Sequence, residues 1–263
     1  MDLGLTGRSA LVLGGSKGIG RGIAEALAME GVAVALVARN VEQVQAAAEA
    51  ISTRHGVAAF GFSADLADFS SVERAIDGAR TALGGNPDIL INNSGGPPPS
   101  GVVGIDPALW SVQFEAMVLS LIRVADAILP GMRAQKWGRI MTVASSLVVE
   151  PSAMIGVSSA LRSTLVGWSK VLASEVAGDG VTVNMLLPGL IATDRTDFLD
   201  RTAAERSGKS IEQVQAMRNA GIPVGRYGTP AEFGAVAAFL ASEQAAYVTG
   251  TMMRIDGGAL RSV

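Results

Sequence analysis

Cysteine is absent from the 263 residues and histidine occurs once. Disulfides, zinc thiolates and thiol nucleophiles are thereby excluded, and no metal site is expected. Charged residues make up 17% of the chain and the net charge is only −3, with no run of lysines or arginines. That balance offers nothing to a nucleic-acid backbone or a membrane surface, so no nucleic acid and no membrane is expected among the partners. No apolar run approaches the roughly 20 residues of a membrane span, and MDLGLTGRSALVLGG lacks the apolar stretch of a secretion leader. A cytoplasmic protein with a small-molecule partner is the expectation.

What is abundant is apolar sequence, 49% of residues, enough for a large core in one domain spanning 1–263. Short apolar runs at 9–14, 32–38, 57–63, 88–93, 138–144, 181–187 and 251–256 predict seven strands. Helical patterns near 19–30, 41–55, 69–83, 107–136, 156–178 and 230–242 lie between them. This alternation predicts an α/β fold of the doubly wound Rossmann type, a mostly parallel seven-stranded sheet covered by helices on both faces. PPPSG at 97–101 reads as a stiff loop. The polar, irregularly patterned segment 194–222 follows a strand's carboxyl end, which makes it a candidate substrate lid.

The first strand runs directly into GGSKGIG, and the first helix opens there. Gly14, Gly18 and Gly20 permit a tight turn, a close backbone approach to a phosphate and close helix packing, while the helix N-terminus attracts the anion. Ser16, Lys17 and Ile19 complete the turn. In this strand-turn-helix context the motif points to a dinucleotide. Arg39 stands after the second strand, where NAD-preferring folds carry an acidic group for the ribose 2′-hydroxyl. Arginine there, helped by Lys17, suits the 2′-phosphate of NADP (NADPH), with NAD possible and a solvated surface arginine as the plain alternative.

GGSKGIG, DL at 65–66, NNSG at 92–95, GRIMTVASS at 138–146 and LPGLIATD at 187–194 occur in the order of the short-chain dehydrogenase/reductase family, which the chain resembles along nearly its full length. The closing IPVGRYGTPAEF to RIDGG is similar to that of 3-oxoacyl-(acyl-carrier-protein) reductases. The resemblance implies that Asp65 and Leu66 meet the adenine. It places Asn92, Asn93, Ser94 and Gly95 on the cofactor's ribose side, and Pro188, Gly189, Ile191 and Thr193 at the nicotinamide carboxamide. Leu13 and Ser94 replace the family's usual threonine and alanine.

The family's catalytic set is asparagine, serine, tyrosine and, four places on, lysine. By resemblance these positions hold Met117, Ser145, Ser158 and Arg162, so three of four differ. Four positions put Ser158 and Arg162 on one helix face. A serine hydroxyl is far less acidic than a phenol, and a guanidinium stays protonated and cannot relay a proton. Arg162 can still hold the nicotinamide ribose and favour a nearby anion; its other reading is a structural cation, and Ser158 doubles as an ordinary hydroxyl at a helix start. Glu150, five residues past Ser145, would donate the proton if its loop desolvates it, with an exposed loop glutamate as the plain alternative and a water as the other donor. Tyr227 and Tyr247 are assigned to packing and assembly, and His55 to a solvated helix end.

Two functions remain open: an NADP-dependent oxidoreductase of the 3-oxoacyl reductase type, acting on a small carbonyl or alcohol, and a catalytically silent NADP-binding sensor or structural partner subunit. The helices at 107–136 and 156–178 are apolar on more than one stripe, through Leu119, Ile122, Val124 and Ile128 and through Leu165, Val166, Trp168, Val171 and Leu172. A face is thus left for a homo-oligomer, a tetramer or a dimer.

Overall fold

Seven short runs of valine, isoleucine, leucine and alanine become strands in the computed structural model, which describes residues 2–262. They are β1 (Ser9–Leu13), β2 (Ala33–Ala38), β3 (Ala59–Ser63), β4 (Ile89–Asn92), β5 (Gly138–Val143), β6 (Val181–Pro188) and β7 (Met252–Ile255). All pair in parallel, in the order β3-β2-β1-β4-β5-β6-β7. Strand order reverses between β1 and β4, and the crevice at that switch point is where such sheets bind ligands.

The strands read as continuous apolar runs because alternate residues serve two cores. Ala10 and Val12 of β1 face Ile23, Val44 and Phe233, carried by α1 (Gly18–Met29), α2 (Val41–His55) and α9 (Pro230–Ala241). Leu11 and Leu13 face Val72, Ile128 and Leu165, carried by α3 (Phe69–Leu83), α5 (Ser120–Ala134) and α6 (Gly156–Val176). Each such fully buried aliphatic side chain contributes about 1.5–3 kcal/mol. Side-chain caps fix helix starts: Asn40 accepts from Gln43 N–H, and Asp68 from Ser70 N–H.

Two glycines bring α1 and α9 into backbone contact. A Cβ on Gly22 would lie 2.3 Å from the Pro230 carbonyl oxygen, and one on Gly234 would lie 2.3 Å from that of Gly22. No larger residue fits either position without separating the helices.

A buried arginine ties the sheet to the C-terminal part of the chain. Arg139, on β5, is 2% exposed and stacks on Trp137, its Cζ 4.2 Å from the ring centroid. It donates to Gly138 O at 2.9 Å and to Ser242 O at 3.3 and 3.4 Å, with Glu243 at 3.9 Å. Arg8 lies on the same ring at 3.8 Å.

The structure corrects two expectations. The segment 194–222 is not irregular: it forms α7 (Asp194–Ser207) and α8 (Ile211–Ala220). Their polarity hid them, since α7 buries only Thr196, Asp200 and Ala204, and α8 only Val214. Asp200, fully buried, holds the pair together: it accepts from Arg218, from Gln215 Nε2 at 3.1 Å and from Tyr227 Oη at 3.1 Å. His55, expected in solvent, is half-buried, and its Nε2 donates to Glu25 Oε2 at 2.7 Å, linking α2 to α1.

The helical stretch after 107 also has internal structure. α4 (Pro107–Phe114) runs into α5 through a π-turn over Glu115–Leu119. Such turns frequently mark functional sites.

Candidate active site

The carboxyl ends of β1, β2, β4, β5 and β6 open onto one crevice. At β1 the chain turns through Gly14 (φ 60°) and Gly18 (φ 58°), a left-handed region that favours glycine. A Cβ on Gly20 would strike Gly14 O at 2.2 Å, so α1 starts tight against the turn. Ser16 and Ile19 are half-buried within it. Lys17, the residue before α1, makes no side-chain cap. The first N–H groups of α1 thus lack the cap that Asn40 and Asp68 give α2 and α3, which fits a phosphate as their partner.

Arg39 is exposed at the end of β2, and its backbone oxygen accepts from Ser63 Oγ at 2.9 Å. Lys17 behaves differently from the expectation that it joins Arg39, because its Nζ bonds Asp194 at 2.9 Å and bridges the glycine turn to α7. Opposite charge close at hand decides its direction. Asp65 is exposed beyond β3, with Leu66 half-buried against the core.

At β4 the chain's polar residues support the crevice more than they line it. Asn92 is fully buried, and its Nδ2 donates to Leu121 O at 3.1 Å. Asn93 Nδ2 donates to Leu13 O at 3.2 Å, clamping the glycine turn. Ser94 is 8% exposed, whereas Gly95 and Gly96 are exposed. Of the four residues expected on the ribose side, only Gly95 is exposed, Asn93 being half-buried and Asn92 and Ser94 buried.

After β6, Pro188 and Gly189 are half-buried at the crevice, and Gly189 N–H donates to Ile255 O at 3.0 Å. Ile191 is buried by its bridge to Gly228 and so faces inward. Thr193 caps α7, accepting from Thr196 N–H, and its Cγ2 lies 3.4 Å from where a Gly18 Cβ would be. The 188–193 loop and the glycine turn thus face each other across a narrow gap.

The four positions expected to hold the family's catalytic set carry altered chemistry. Met117 lies in the π-turn, 2% exposed and without a polar group. Ser145 Oγ accepts from Leu147 N–H at 3.2 Å and keeps its own proton free to donate. Ser158 sits half-buried in the first turn of α6. Arg162, one turn on, is 8% exposed and donates to three carbonyls: Val143 at 2.9 Å, Ser94 at 3.0 Å and Gly95 at 3.1 Å. Its fork bolts α6 to the ends of β4 and β5, a use that lysine's single ammonium cannot reproduce. Burial, reinforced by the charge of Arg195, lowers its pKa to about 10, so it is cationic at neutral pH.

Glu150 does not supply the desolvated acid that the sequence suggested. It is exposed, and its Oε1 accepts from the backbone N–H of Arg261 at 3.4 Å. The C-terminal tail, invisible to a local reading of the loop, claims this carboxylate.

The sequence reading missed Arg195. It lies on the first turn of α7, exposed, with Nη2 donating to Pro97 O at 2.8 Å. A Cβ on Gly96 would lie 3.5 Å from Ser158 Oγ, 3.9 Å from Arg195 Nη2 and 4.0 Å from Arg162 Nη2. Only its neighbour Asp194, the last residue of the LPGLIATD motif, hinted at the position. Among the described residues no group of three His, Asp or Glu could hold a metal ion, and no helix is long and apolar enough to cross a membrane.

Comparison with known proteins agrees with this geometry. Residues 14–259 match the family model described as enoyl-(acyl carrier protein) reductase. The chain is 33% identical to a 3-oxoacyl-(acyl-carrier-protein) reductase of Aquifex aeolicus, over 98% of this chain and 99% of that protein. It is 34% identical to a D-beta-hydroxybutyrate dehydrogenase of Cupriavidus necator, over 97% and 98%. The crystal structure of L-sorbose reductase from Gluconobacter frateurii, complexed with NADPH and L-sorbose, superposes with a TM-score of 0.94 at 31% identity, covering all of both chains. With its glycine turn, its parallel sheet and these full-length matches, the chain belongs to the short-chain dehydrogenase/reductase family.

Proposed function

We propose that the protein is an NADPH-dependent reductase of a small carbonyl compound. The observation that carries this is the convergence on one crevice of an uncapped α1 N-terminus, the exposed Arg39 and the paired 188–193 loop. The α1 N–H groups bind the cofactor's pyrophosphate, and Arg39 alone takes the 2′-phosphate, since Lys17 is held by Asp194. Relatives support the same reading: the matched sorbose reductase structure holds NADPH.

When bound, NADPH supplies a hydride to the carbonyl carbon. Ser145 and Ser158 donate hydrogen bonds to the carbonyl oxygen, and the Arg162 charge stabilises the negative charge that develops there. With Glu150 exposed and Met117 apolar, the proton that completes the alcohol comes from water. We also read 194–222 as a lid over this site, and the apolar stripes as an assembly face: Val171 is 58% exposed, with Trp168, Leu119 and Ile122 half-buried. A tetramer is the expected state. A sedimentation mass of one 26.9 kDa chain at micromolar concentration would refute it.

A second reading, binding without turnover, is favoured by the three carbonyl bonds that occupy Arg162. One set of measurements addresses both. Fluorescence titration should give at least tenfold tighter binding of NADPH than NADH, as expected for a charge-assisted phosphate contact of about 1.5–3 kcal/mol. Arg39→Asp should erase or reverse that preference; equal affinities in the unaltered protein would sink the NADP assignment. Oxidation of NADPH by any member of a ketone panel separates reductase from silent binder.

A further inference from the structure

We propose that the reduced substrate is an oxo acid whose carboxylate is received by Arg195 and Arg162 beside Gly96. This rests on the reductase reading above and gives its substrate a chemical class.

Arg162 is buried, and its hydrogen bonds to Val143, Ser94 and Gly95 satisfy donors but cancel no charge. Among the described residues neither Arg162 nor Arg195 lies within ion-pair distance of a carboxylate. Of the four acids on α7, Asp194 pairs with Lys17 and Asp200 with Arg218, while Asp197 and Glu205 make no ion pair with Arg195. Two cations are therefore held near each other without a counter-ion, which also depresses the Arg162 pKa once burial has done so. Such an arrangement is unfavourable by itself and is relieved by an anion.

The geometry says where that anion sits. Ser158 Oγ and one terminal nitrogen from each arginine surround the exposed Gly96, 3.5 to 4.0 Å from a point one bond off its Cα. Arg195 approaches from α7 at the open side, braced on Pro97 O, and Arg162 lies at the base. Ser158 is shared between this anion and the reacting oxygen, so charge and carbonyl must be close neighbours in one molecule. A 2-oxo or 3-oxo acid has that spacing; its planar carboxylate matches the free guanidinium donors of Arg195, while Arg162, its Nη2 donors engaged by Ser94 and Gly95, contributes its charge. An acyl thioester carries no charge at this distance from its carbonyl and would leave both arginines uncompensated.

The NADPH-saturated protein is to be titrated with pyruvate, acetoacetate, methyl acetoacetate and dihydroxyacetone phosphate, following NADPH fluorescence for binding and NADPH oxidation for turnover. The acids should bind and react at least about tenfold better than the ester, the ratio that corresponds to 1.4 kcal/mol. Arg195→Gln should raise KM for the acid at least about tenfold more than for the ester, and Arg195→Lys should recover part of the loss. Equal behaviour of acid and ester, equal effects of Arg195→Gln on both, preference for the phosphate, or no response of the fluorescence to either acid would each overturn the carboxylate site. Failure is separable from failure of the underlying reading. If NADPH does not bind, the reductase assignment falls; if NADPH binds and the neutral ester is reduced as well as the acid, only the oxo-acid assignment falls.

Discussion

Arg162→Ala should lower the unfolding free energy by about 1–3 kcal/mol for each buried carbonyl it leaves unsatisfied, offset in part because it also removes a buried charge that has no counter-ion. The substitution orphans the Val143, Ser94 and Gly95 carbonyls together, at the junction of α6 with the ends of β4 and β5. Because Asn93 clamps the glycine turn from the same β4 end, the loss should propagate to the cofactor and weaken NADPH binding as well. Arg162→Lys keeps the charge but cannot reach carbonyls contributed by two strand ends, so it should recover only part of the stability. Urea unfolding and NADPH titration measure the two effects. An Arg162→Ala protein with an unaltered urea midpoint would show that the fork is not the bolt described above.

The second large effect is expected at Arg139. Arg139→Ala removes one of the two cations on the Trp137 ring, takes the guanidinium donors from the Ser242 carbonyl and opens a cavity in a strand whose every residue is buried. A loss of about 3–5 kcal/mol follows from these combined mechanisms. Arg139→Met should cost less, since it refills volume and buries no charge, while still losing the hydrogen bonds to Gly138 and Ser242. Glu243→Gln should cost least, its pairing with Arg139 being a 3.9 Å contact at a half-exposed carboxylate. If Arg139→Ala unfolds at the same urea concentration as the unaltered protein, the buried arginine contributes nothing beyond its neighbours.

The strands and the six helical stretches that hold α1 to α6 and α9 could be read from the sequence because burial on both sheet faces writes itself as runs of valine, isoleucine and leucine, and because Asn40, Asp68 and Thr229 mark helix starts. α7 and α8 escaped that reading, since a polar helix held by Asp200, Arg218 and Tyr227 leaves no apolar stripe. Caps at Thr193 and Ser210, the latter with Gln213 three residues on, were the available signals. In the site, the glycine turn was legible because motif and fold coincide there. The partners of Lys17, Glu150 and Arg162, and the presence of Arg195, were not. Each depends on a residue or carbonyl brought in from a distant segment, which no local pattern records.

The glycine contact between α1 and α9 bears on how the chain acquires its site. Gly22 and Gly234 are separated by about 200 residues, yet their backbones touch. The helix that opens the phosphate-binding turn is therefore seated against an element made about two hundred residues later. Contacts of such long sequence separation form late, after loop closure has been met by many other interactions. A nascent chain that has β1 and α1 in hand still lacks the surface that orients α1. The dinucleotide pocket, although encoded almost entirely ahead of α9, becomes rigid only once α9 has been made.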